Sequence, residues 1–209
     1  MRVAGASGEL LVAERRDISA FLAQLGDEEW RLSSLCGDWT VMEVAAHLAS
    51  FLTVPVRGLA TRMMRAGFSP SRANRQGVTT WADRGQSAIA AALGGTDVPG
   101  VARVYAKVGL TEAVVHHQDM RRALGRQREV PEERLRIALG VISRWPTGTG
   151  GNRRRRGVGL RATDMDWSLG SGPEVLGRAE ALLMALAGRH QALDELSGEG
   201  IDLLARSFS

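Results

Sequence analysis

The spacing of apolar residues changes once along this chain, and that change limits what it can fold into. Through the first ~145 residues apolar side chains recur every three or four positions, which places them on one face of an α-helix. "GELLVAERRDISAFLAQL", residues 8–25, carries Leu11, Ile18, Leu22 and Leu25 at this spacing, with Gly26 as the stop. A second helix is predicted over 41–66, with Thr40 as N-cap and Glu43 completing a capping box. Pro55 should kink or break it, because proline has no N–H to donate and clashes with the preceding turn. "GFSPSRANRQG" reads as a loop. Further helices are predicted over 78–93, 101–124 and 131–145. After "PTGTGGNRRRR" the pattern turns to alternation: "GVGLRATD" and "MDWSLGSG" read as a hairpin. "GPEVLGRAEALLMALAGR" reads as a helix starting near Pro173, and the last residues are partly helical. The expected architecture is mainly α, a helical bundle over 1–147 followed by a small α+β domain over 157–209.

Composition narrows the classes. Apolar residues make up 44% of 209, enough for a real core. No run of 18 apolar residues occurs, so no membrane span is predicted. "ELLVAERR" is too short an apolar run for a signal peptide, and a cytoplasmic location is expected. Cys36 is the single cysteine, which excludes an internal disulfide and a Cys-rich zinc module; it is read as a structural or incidental thiol. The net charge is +4 and the isoelectric point about 10.4, almost all from arginine. The one dense run, Arg153–Arg156, is read as a solvated loop, with phosphate or acidic-ligand binding as the alternative. No base-stacking aromatics interleave with it, so a nucleic-acid partner is not expected.

The stretch that carries chemistry is "GLTEAVVHHQDMRRALG", residues 109–125. On a helix Glu112 and His116 fall one turn apart on the same face, Asp119 continues that stripe, and His117 is rotated by about 100°. A metal site in a bundle needs ligands from a facing helix, and His47, in "VMEVAAHLASF", supplies one. Two histidines and a carboxylate leave a fourth position open on a tetrahedral zinc, the ligand count of a catalytic site. Glu43, four residues before His47, is a candidate acceptor behind that imidazole. The alternatives are a surface ion pair for Glu112–His116 and a hydrogen-bonded core histidine for His47. No P-loop, Gly-x-Ser-x-Gly, His-Glu-x-x-His or dinucleotide fingerprint is present.

The segment "ERRDISAFLAQLGDEEWRLSSLCGDWTVMEVAAHLASF" resembles the N-terminal motif of the mycothiol-dependent maleylpyruvate isomerase family, within the DinB-like metal-binding four-helix superfamily. The matching positions are Trp39-Thr40-Val41 to Ala46-His47-Leu48, then Glu112, His116 and Asp119-x-Arg121-Arg122-Ala123-Leu124-Gly125. "GVGLRATDMDWSLGSGPEVLGRAEALLMALAGR" is similar to the family's C-terminal domain. The resemblance implies a DinB-like four-helix bundle with a small α+β C-terminal domain. It implies a divalent metal, zinc, on His47, Glu112 and His116, and mycothiol as thiol cosubstrate. The implied activity is S-transfer to, or isomerisation of, a small electrophile, with maleylpyruvate not the favoured substrate. Asp119 and Arg206 are the expected catalytic residues, Arg206 facing substrate carboxylates. A non-catalytic metal- or ligand-binding protein is the alternative. A monomer or homodimer is expected, and His117 is given no role.

Overall fold

A computed structural model describes residues 5–97, 105–144 and 151–208, and the chain divides into two compact units, Met1–Arg128 and Glu129–Ser209. The first unit is all helical: α1 (Gly5–Leu22), α2 (Asp27–Arg31), α3 (Val41–Leu52), α4 (Val56–Arg65), α5 (Pro70–Ala82), α6 (Gln86–Gly94) and α7 (Ala106–Ala123). Helix α1 packs on α6 and α7, and α3 packs on α5, α6 and α7. Leu11, Ile18, Phe21, Val44, Leu48, Leu52, Ile89, Leu93, Leu110 and Val114 fill the interior, each large side chain contributing about 1.5–3 kcal/mol by leaving water. Gly109 sets how closely α7 approaches: a Cβ there would lie 3.3 Å from methyl carbons of both Leu11 and Leu52.

Local signals explain most helix ends. Thr40 Oγ1 accepts from Glu43 N while Glu43 Oε2 accepts from Thr40 N at 2.8 Å, so the expected capping box starts α3. Pro55 breaks the predicted second helix outright, and α4 leaves α3 at a bend of 119°. Helix α7 ends as the sequence suggested. Gly125 takes a positive φ of 64°, Gly125 N donates to Arg122 O, and Arg126 N donates to Arg121 O, a Schellman closure. The first residues of the helix predicted from 101 lie outside the described residues. No single described helix is long and apolar enough to cross a membrane.

The loop expected over "GFSPSRANRQG" is instead the start of α5. Ser69 accepts from Arg72 N at 3.4 Å and Pro70 occupies the first turn. Serine and proline there are helix-start signals rather than loop signals, because the first turn leaves N–H groups that serine satisfies and proline lacks.

The second unit contains α8 (Glu132–Ile142), a single turn α9 (Gly151–Arg154), β1 (Gly159–Ala162), β2 (Ser168–Leu169), β3 (Glu174–Gly177), α10 (Ala179–Leu186), a 3₁₀ turn (His190–Glu195) and α11 (Ile201–Arg206). The boundary expected at 147 therefore moves to Arg128. Helix α8 buries Leu135, Ala138, Leu139 and Ile142 and packs on α10, within this unit. The predicted hairpin exists, β1 and β2 pairing antiparallel with Leu160 opposite Leu169. The helix predicted from Pro173 starts later, because Glu174–Gly177 first forms a strand parallel to β1, Leu160 opposite Val175, giving the order β2-β1-β3. The arginine run is not wholly solvated. Arg154 donates to Leu186 O and stacks on Phe208, Arg155 donates to Ser143 O, and Arg153 and Arg156 are exposed. The rest of the predicted boundary, 146–150, lies outside the described residues, as does the last residue of the helix predicted over 131–145.

Candidate metal centre

Helix periodicity brings Glu112 and His116 together, and packing of α3 on α7 brings His47 to them. Glu112 Oε2 lies 3.3 Å from His116 Nε2 and 3.6 Å from His47 Nε2. The three donor atoms all fall within 4.8 Å of one another. Ligands held at ~2.0–2.1 Å from a tetrahedral zinc are separated by about 3.4 Å. The two carboxylate–imidazole spacings match the edge of that tetrahedron, and two nitrogens with one carboxylate oxygen are a zinc-type donor set. The residues present therefore fit a divalent ion.

Each imidazole is held from behind. His47 Nδ1 lies 2.7 Å from Asn74 Oδ1 on α5, which fixes its proton on Nδ1 and leaves the Nε2 lone pair facing the cluster. His116 Nδ1 lies 2.9 Å from Asp119 Oδ2. Asp119, expected to act in catalysis, is wholly buried behind the imidazole rather than on the open side of the cluster. Glu43, the expected acceptor for His47, is turned away: its Oε2 receives both Thr40 N and Thr40 Oγ1. Asn74 takes that place, and it was missed because it stands in the stretch read as loop.

Electrostatics agree with the geometry. Burial alone would raise the Glu112 pKa, but hydrogen bonds to His116 and His47 override it and hold the carboxyl well below the ordinary carboxylate range. Burial would lower the His116 pKa; hydrogen bonds to Asp119, Cys36 and Glu112 outweigh it and hold the imidazole charged, well above its ordinary value. A positive charge is thus favoured where Nε2 meets the carboxylate.

A second thing the sequence hid is the approach of Cys36. The link between α2 and α3 folds back so that Leu35 N donates to Asp119 O at 3.2 Å. Cys36, partly exposed, has its sulfur within 4.8 Å of ligand atoms of His116 and Asp119. No histidine is near it in sequence, so only the fold could bring them together. Trp39 from the same link packs on the His47 ring, centroids 5.3 Å apart.

His117 points to the other side of α7, as its rotation required. It is fully buried, with Nδ1 2.8 Å from Glu14 Oε1 on α1 and Nε2 accepting from Arg121 Nε at 2.8 Å. Because Nε2 accepts, the ring is neutral. Burial leads the causes that lower its pKa to about 4, the Glu14 hydrogen bond opposes, and the charges of Arg128 and Arg121 add to the lowering. Arg206 is exposed at the end of α11 in the second unit.

Comparison with known proteins gives the segment a family. Residues 11–98 match the mycothiol maleylpyruvate isomerase N-terminal domain. That isomerase domain covers α1 through α6 and contributes His47 and Asn74; the resemblance read from the sequence holds over this segment. Among solved structures the chain is similar to the crystal structure of the mycothiol-dependent maleylpyruvate isomerase, at 17% identity and a TM-score of 0.56 over 91% of this chain and 90% of that one. A histidine-to-alanine mutant of that isomerase aligns over the same shares at 16% identity and a TM-score of 0.57. At this distance the likeness is one of fold, helical with a small C-terminal sheet. No curated protein sequence matches the chain.

Proposed function

We propose that His47, Glu112 and His116 hold a divalent metal, zinc by its donor set, and that the protein uses a low-molecular-weight thiol, mycothiol, to attack a small electrophile. The observation that carries this reading is the convergence of two imidazoles and a carboxylate within 4.8 Å, Glu112 Oε2 standing at tetrahedral-edge distance from both Nε2 atoms. The isomerase domain match and the similarity to solved isomerases support it. A bound ion with an open position lowers the pKa of a thiol and keeps it a thiolate at neutral pH.

The chain's own part is to orient and to hold protons. Asn74 and Asp119 accept from the Nδ1 protons, so that both Nε2 atoms face the cluster, and an ion bound there would take the place of the proton that His116 Nε2 otherwise holds. Glu112 stays ionised and supplies the negative charge. The thiolate carbon–sulfur bond forms at the electron-poor carbon of an activated double bond. In an isomerase, the former double bond rotates and the thiolate is expelled, so the thiol is recycled; in a transferase, a proton is taken up and the adduct leaves. Asp119, buried and bound to His116, is a positioning residue in this scheme.

The test has two stages. Metal analysis of the purified protein should find about one ion per chain, lost in both His47→Ala and His116→Ala; an ion retained in both variants refutes the ligand set. The loaded protein is then incubated with mycothiol and a panel of electrophiles, and thiol adducts or isomerised products are sought by mass spectrometry. Metal bound without thiol affinity or turnover favours the non-catalytic binding protein.

A further inference from the structure

One stretch of the helical first unit is strongly basic. Between residues 56 and 84 stand Arg57, Arg62, Arg65, Arg72, Arg75 and Arg84 against the single acid Asp83, a local charge of +5, while the whole chain carries only +4.

The fold gathers three of these arginines around one cleft. A cavity of about 480 Å³ opens between α4 and α5, lined by Arg57, Thr61, Arg62, Arg65, Gln76 and Thr80 among others, with no acidic side chain in its wall. Arg57, Thr61 and Arg65 follow at four-residue intervals and so form one stripe of α4. Arg62 is fixed from below. Its Nη2 donates to Ser50 O at 3.1 Å, and its guanidinium lies against Gly77 of α5, where a Cβ would come within 2.4 Å of Nη1. Glycine at 77 makes the seat for that guanidinium.

The donors aimed at the cleft can be counted by chemistry. Thr61 and Thr80 spend their hydroxyl protons on carbonyls of their own helices, Arg57 O and Gln76 O. The guanidiniums and the Gln76 amide remain. Arg57 and Arg65 make no ion pair among the described residues. Three like charges around one cavity repel one another, and an anion between them removes that cost. Guanidinium forks match the oxygens of carboxylate and phosphate in bidentate fashion. The volume lies in the ~300–1,000 Å³ range of small-ligand sites.

We propose that the α4–α5 cleft binds a small anion bearing two or more carboxylate or phosphate oxygens. None of its lining residues belongs to the His47–Glu112–His116 cluster, so the site stands whether or not that cluster holds metal.

The experiment titrates the full-length protein with inorganic pyrophosphate and, separately, with succinate, by calorimetry at constant ionic strength set with chloride. Saturable binding of one of them is expected, weakened at least tenfold in Arg57→Gln/Arg65→Gln. The control Arg153→Gln/Arg156→Gln removes the same charge elsewhere and should leave affinity within about twofold. Gly77→Ala keeps every charge and should weaken binding by displacing Arg62; the Arg57→Gln/Arg65→Gln pair decides the matter if Gly77→Ala does not fold. Absence of saturable binding, equal losses in the two double variants, or binding to anionic phospholipid vesicles with none to the free anions would each overturn the proposal.

Discussion

Asn74 Oδ1 sits 2.7 Å from His47 Nδ1, and this contact between α5 and α3 decides which nitrogen of His47 is offered to the metal cluster. An outer partner that fixes ring and tautomer typically contributes 10–100-fold to metal affinity. Asn74→Ala should therefore weaken zinc binding by roughly that factor, measured by competition with a chromophoric chelator, while far-ultraviolet circular dichroism stays unchanged. Affinity equal to wild type would show that the cluster does not depend on the tautomer.

His116 leans on Asp119 in the same way, but the partner here is wholly buried and ionic. Asp119→Asn keeps an acceptor in place and should cost about tenfold in metal affinity. Asp119→Ala leaves the His116 Nδ1 proton unpaired in the interior and should cost more, together with about 1–3 kcal/mol of stability. The ordering of the two variants in chelator competition and urea unfolding is the check; equal values for both would remove the positioning role.

The buried His117 makes stability depend on pH. Its pKa is lowered from 6.5 to about 4 in the fold, so the folded chain favours the neutral ring. The contribution is complete above about 6.5, where the unfolded histidine is also neutral. It is lost as pH falls from there toward about 4, as the unfolded chain takes up a proton that the folded one refuses. The full loss is about 3 kcal/mol at ~1.4 kcal/mol per pKa unit. His117→Gln does not titrate, so the gap in unfolding free energy between wild type and this variant should narrow by about that amount between pH 7 and pH 4. A gap independent of pH would contradict the neutral tautomer.

Thr40 closes the N-terminus of the helix that carries His47. Thr40→Ala removes the side-chain acceptor for Glu43 N and one of the two donors to the Glu43 carboxylate, leaving the Thr40 backbone N–H. The expected cost is about 1 kcal/mol, read as a fall of a few degrees in melting temperature. A melting temperature unchanged within error would mean that α3 is held by packing alone.

What could be read from the residues in order was what depends on neighbours within a turn. Glu112 and His116 share a face because the helix repeats every 3.6 residues. Thr40 and Glu43 cap α3, Pro55 breaks the second helix, and Gly125 ends α7, because each acts on backbone groups three or four residues away. What the tertiary structure decided is everything that joins distant segments. It assigned His47 to Glu112, gave His47 an asparagine from α5 instead of Glu43, folded Cys36 back to His116 and Asp119, and paired β3 with β1. It also set the arginines of α4 against Gln76 and Thr80 of α5 around one cleft. The reason is physical: helix spacing and capping act over a single turn, whereas these meetings follow from how apolar helix faces pack and how distant strands pair, and no short window of sequence contains both sides of such a contact.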